Sequence, residues 1–180
     1  MAEPYIGLRV MRVGEWKPGQ YYLSSQIFDR VPWLRPESSI ARCQGRPSGI
    51  GVNWRSPFTP GATIGSELAD MHRPPGLGCT CGWYLSSFAI INGVLSPALS
   101  AHNLLVKLGS NEPSVMVVAM ALGDVVIHEF GARAERLRLM AMISGTCGIA
   151  PAQVMSAFYQ IPIIPSGTAR RWASEFGTVL

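Results

Sequence analysis

The sequence predicts an α+β domain: a small, mostly antiparallel sheet or partly open barrel, with helices packed on it and a helical C-terminus. Three observations predict this class. Residues 6–13 and 114–143 show the alternating or continuously apolar pattern of strands. Nineteen glycines and fourteen prolines cut the chain into short elements. Beyond residue 148 the apolar positions fall at helical spacing. At 180 residues the chain fits one domain, with 1–145 as its body and 146–180 as a helical extension packed on it.

Residues 6–13 alternate apolar and basic side chains, as a strand with one wet face does. Pro18-Gly19 signals a turn, and 21–28 form the returning strand of a hairpin with a rather long loop. Pro32 and Pro36 exclude regular structure from 31–36 and leave Trp33 as a buried plug at one end of the sheet. Residues 44–65 are a long loop rich in Gly, Pro, Ser and Thr, followed by a short helix over 66–71. The apolar density of 83–91 predicts a buried helix that Asn92-Gly93 ends. Ser96 and Pro97 then open a second helix, running to 108.

The main hairpin follows. Residues 114–122 are apolar on both faces like a central strand, Gly123 permits a bulge, and 124–129 continue the strand. Phe130-Gly131 turns the chain and 132–143 return as a strand, although on propensity alone 134–142 would also serve as a helix. A helix covers 148–160, Ile161 to Pro165 break it, and Ser166 caps a last helix over 168–176. Two helices across a short connection resemble a helix-turn-helix, with Arg170 and Arg171 on the second; a plain packing unit is the stronger reading.

Hydrophobic residues make up 48% of the chain and charged residues 14%, enough apolar material for a core. No signal peptide is visible, and the most apolar run, 115–122, is too short to span a bilayer. The expectation is a soluble cytoplasmic protein with no membrane partner. The formal charge is +4 with a pI near 9.1, a mild excess that suits a nucleic-acid partner without demanding one. Arg42, Arg46, Trp54 and Arg55 make the long loop basic and aromatic, a mixture that can track a nucleic-acid backbone and stack on bases.

Four residues have the chemistry of a metal site. Cys43, His72, Cys79 and Cys81 could close one tetrahedral zinc site, because zinc prefers thiolate and imidazole and structural sites use four protein ligands. Gly78 and Gly82 give the tight Cys-x-Cys the freedom it needs. Reduced thiols beside a surface histidine are the alternative. Cys147 is a buried thiol or a substitute for His72. A fully protein-ligated zinc would be structural, fastening the long loop to the body of the domain.

A second constellation lies at the hairpin end. His128 and Glu129 point to opposite faces of a strand, and Arg133 or Glu135 could return beside one of them. An ion pair of Glu129 with Arg133 or Arg136 is the plain reading. The sharper one is a polar pocket in which His128 and Arg133 bind an anion such as phosphate. The chain has no Gly-rich phosphate loop, no His-Glu-x-x-His and no nucleophile elbow.

The order Gly7-Leu8-Arg9-Val10, Pro32-Trp33, Ala41-Arg42-Cys43, His72-Arg73-Pro74-Pro75, Cys79-Thr80-Cys81-Gly82-Trp83-Tyr84 and 125–135 resembles a family of small actinobacterial and actinobacteriophage proteins. Its motifs are Pro-Trp, Ala-x-Cys, His-x-x-Pro, Cys-x-Cys-Gly-x-Tyr and Val-x-x-His-Glu-x-Gly-x-Arg-Ala. The resemblance spans about residues 6–143 and implies the zinc ligands named above, a phage or actinobacterial setting, and no reaction. Where that family carries Leu-Trp-Gly, this chain has Ala121-Leu122-Gly123. The expected function is a non-enzymatic, zinc-stabilised binding module that recognises nucleic acid or a host nucleic-acid-processing complex. A protein-interaction factor that inhibits or redirects a host enzyme is the second reading, and an enzyme using His128 and Glu129 the third.

Overall fold

The computed structural model describes residues 3–25, 32–37, 75, 82–88, 113–128, 131–144 and 147–180. In chain order these form β1 (Tyr5–Lys17), β2 (Gln20–Ser24), β3 (Pro32–Trp33), β4 (Trp83–Ser86), β5 (Ser114–His128), β6 (Gly131–Ile143), α1 (Ile149–Tyr159), β7 (Ile163–Ile164), α2 (Ala169–Ala173) and β8 (Thr178–Val179). All eight strands belong to one sheet. Its pairings are antiparallel except for β7 beside β6 and β8 beside β1. The described residues are sheet-dominated, with two short helices. β1 pairs β5, β5 pairs β6, β6 pairs β4, and β4 returns to β1 through the single pair Leu8–Ser86. The sheet therefore curls on itself without becoming a regular barrel.

The first hairpin is tighter than the sequence suggests. β1 continues through Trp16 and Lys17, and Lys17 pairs directly with Gln20 across Pro18-Gly19. Gly19 takes φ +78°, which glycine adopts at little cost, and its N–H donates to Glu15 Oε1 at 2.7 Å. Pro32-Trp33 is also a correction, since it pairs with β2 as an edge strand. Proline is tolerated there because its missing donor would face away from the ladder.

The buried helix expected over 83–91 is overturned where the structure describes it: Trp83 to Ser86 is a strand. A short apolar run does not distinguish a doubly paired strand from a buried helix, and β4 has neighbours on both sides. Expectations for 66–71 and 96–108 fall outside the described residues.

 

β5 and β6 are strands as expected. Their ladder is antiparallel. Pairing runs from Val117–Met142 to His128–Gly131 and outweighs the helical propensity of 134–142. The register shifts between Val118 and Ala119 and between Leu122 and Val125. Gly123, at φ +75°, occupies the second irregularity, where a Cβ would run into the Glu135 carboxylate.

The two faces of the sheet carry separate cores. Met11, Val13, Leu23, Trp33, Val117, Leu137 and Leu139 lie on one, covered by Met155 and Tyr159 of α1. Ile6, Leu8, Met116, Val118, Ala141 and Ile143 lie on the other, with Ala169 and Ala173 of α2 packed against them. Each large side chain so buried contributes about 1.5–3 kcal/mol.

The C-terminal end differs from the expected helical extension. α2 has five residues, Ser166 provides no side-chain cap, and the chain closes with β8. The connection between the helices is itself part of the sheet, because β7 pairs β6. That pairing replaces the helix-turn-helix geometry.

One contact ties α1 to the sheet. Leu23 and Trp33 are partners in the β2–β3 ladder, and the Tyr159 hydroxyl is inserted between them. It accepts from Leu23 N–H at 2.8 Å and donates to the Trp33 carbonyl at 2.7 Å. Burial pushes the Tyr159 pKa up to about 12, against the opposing effect of the Leu23 bond. The neutral phenol is the folded form, so its contribution is complete below pH 10 and is lost as pH rises through about 12. Tyr159→Phe leaves a buried donor and acceptor unmet, and a loss of about 2–4 kcal/mol is expected in urea unfolding. An unchanged midpoint would contradict this role.

Candidate functional site

The candidate site is built around β4. Trp83, Tyr84, Leu85 and Ser86 pair with Ala134, Arg133, Ala132 and Gly131 of β6, while Ser86 also meets Leu8 of β1. Two glycines make room for this strand. A Cβ on Gly7 would sit 2.9 Å from the Ser86 carbonyl oxygen, and one on Gly131 would overlap the Leu85 carbonyl. Successive β4 side chains then point to opposite faces, giving the strand two chemically different surroundings.

On one face are Tyr84, its cross-strand partner Arg133, and His128 beyond Val126, the β5 partner of Arg133. The rings of Tyr84 and His128 are tilted at 56° with centroids 6.4 Å apart. Among the described residues, neither His128 ring nitrogen has a hydrogen-bond partner, and both are shielded from solvent. Burial, and secondly the charge of Arg133, lower the His128 pKa; the Ala132 backbone pulls the other way without reaching bonding geometry. Arg133 and Glu135 are themselves buried, and Glu135 Oε2 accepts a long 3.4 Å bond from Asp124 N–H.

On the other face, Arg9 lies over the Trp83 ring with its guanidinium carbon 5.2 Å from the ring centroid. Trp83 in turn meets Trp33 edge-on at 5.4 Å. Arg9 donates from Nη1 to the Tyr84 carbonyl at 2.7 Å and from Nη2 to Ser25 Oγ at 2.9 Å. Its Nε meets Met11 Sδ at 3.3 Å. The side chain is half-buried, and desolvation lowers the guanidinium pKa to about 10.

The structure thus brings His128 and Arg133 to one face of the hairpin. Glu129, Arg42, Arg46, Trp54 and Arg55 lie outside the described residues, as do the proposed ligands Cys43, His72, Cys79 and Cys81. Pro75 and Gly82, which bracket Cys79 and Cys81, are described and pack together: a Cβ on Gly82 would lie 3.1 Å from Pro75 Cβ. Among the described residues no group of three His, Cys, Asp or Glu could hold a metal. Cys147 is half-buried, and burial raises its thiol pKa, away from the thiolate that metals and electrophiles require.

Arg9 and Ser25 are the residues that sequence reading missed as a pair. The signal was parity: Arg9 shares the strand face of Met11 and Val13, both buried. No family model, curated protein or solved structure matches the chain. No helix among the described residues is long and apolar enough to cross a membrane.

The lowered His128 pKa has a definite sign. Its neutral form is favoured by folding, so this stabilisation is complete above pH 6.5 and is lost as pH falls through the lowered folded value. The thermal stability of the wild type should therefore fall on acidification below pH 6.5, and His128→Gln should flatten that slope. Identical slopes would show that His128 does not sense this environment.

Proposed function

We propose that the protein is a non-enzymatic binding module that recognises nucleic acid, alone or within a host complex that processes it. The observation that supports this reading is the Tyr84–His128 pair: a phenol ring 40% exposed, beside an imidazole with no hydrogen-bond partner among the described residues. An exposed aromatic ring can stack on an unpaired base. A neutral imidazole offers one donor and one acceptor, which suits a base edge better than a phosphate. Both His128 nitrogens are shielded from solvent, so a base edge reaches them only when neighbouring side chains move. The +4 charge favours approach to a polyanion. Use of His128 and Glu129 together in an enzyme has less support, because the sequence carries no phosphate loop, His-Glu-x-x-His motif or nucleophile elbow.

A zinc ion held by Cys43, His72, Cys79 and Cys81 is part of the proposal, supported by the Pro75–Gly82 contact beside that stretch. Elemental analysis of protein purified without added metal should give about one zinc per chain by the four-ligand rule, and Cys79→Ser should lose it. Folded wild-type protein free of zinc would overturn this part.

A second reading, a factor that captures a host protein, has its own support. The outer side of α1 exposes Ile149 at 79% and Phe158 at 49%, and residues 149–160 include no charged side chain. Fluorescence anisotropy with a labelled single-stranded oligonucleotide separates the two. Nucleic-acid recognition predicts affinity that falls with salt and weakens about tenfold in Tyr84→Ala. No binding at low salt, with capture of a host protein that Phe158→Ala abolishes, would support the second reading instead.

A further inference from the structure

We infer that Arg9 and Ser25 form an oxyanion site on the Trp83 face of β4, binding a carboxylate or phosphate group through the guanidinium and the serine hydroxyl. Every partner of Arg9 among the described residues is neutral: a backbone carbonyl, a hydroxyl, a thioether and an indole ring. A guanidinium partly withdrawn from water gains from a counter-charge, and none of the described carboxylates bonds to this one. Desolvation alone lowers its pKa, yet at about 10 it remains a cation at neutral pH.

The donor count points to the ligand. A guanidinium has five N–H groups, and the three bonds above use Nε–H and one hydrogen on each Nη. One N–H on each Nη is left, and paired oxygens of an oxyanion bind such adjacent donors. Ser25 is 5% exposed and accepts from Arg9, so its own proton is directed elsewhere; no described residue accepts it. Trp83 lies beneath the guanidinium carbon in a cation–π contact that uses none of its N–H groups. This site stands apart from the Tyr84–His128 face and does not rest on the nucleic-acid reading.

The test follows the Arg9 Nε–H resonance of the isotopically labelled full chain during titration with inorganic phosphate, and separately with acetate, at ionic strength fixed by chloride. A saturable shift is expected, with the midpoint raised about tenfold in Ser25→Ala, which retains the cation. Whichever anion saturates at the lower concentration identifies the source as phosphate or carboxylate. Shifts that stay linear with both anions, or midpoints equal in wild type and Ser25→Ala, would overturn the site.

Discussion

The admission of β4 between β1 and β6 is the constraint on which both candidate sites depend. Only four residues long, β4 is held by ladder pairs to β6 and by one pair to β1. It fits because Gly7 and Gly131 present no side chain where its carbonyls pass. Pairing on both sides fixes the alternation of Trp83 and Tyr84. One side chain therefore meets Arg9 and the other meets His128, and neither arrangement would survive a shift of register by one residue.

A second constraint runs from α1 through the aromatic residues. Tyr159 supplies one acceptor and one donor to a ladder that does not close directly between Leu23 and Trp33. Trp33 is thereby held in the core, its ring edge-on to Trp83, and Trp83 supports Arg9. The helix that covers one core also sets the position of the guanidinium through these contacts.

Much of the sheet was legible in the sequence because period-two patterning and continuous apolar runs report burial directly. This placed β1, the β5–β6 hairpin and the bulge at Gly123, and helical spacing placed α1. Three things were not legible. Apolar density at Trp83–Ser86 could not separate a doubly paired strand from a helix. Pro32-Trp33 became an edge strand through tertiary pairing that proline alone does not forbid. The end of the chain joined the sheet through β7 and β8, each two residues long and too short to leave a pattern. At the site, His128 and Arg133 were foreseeable from the hairpin, whereas the meeting of Arg9 with Ser25 depends on how β2 leaves β1.

Resonance mapping with an unlabelled single-stranded oligonucleotide tests the central claim most directly. The account predicts shifts concentrated at Tyr84, His128 and Arg133, with α1 unaffected. Shifts confined to Val154 and Phe158, or none anywhere at low salt, would contradict it.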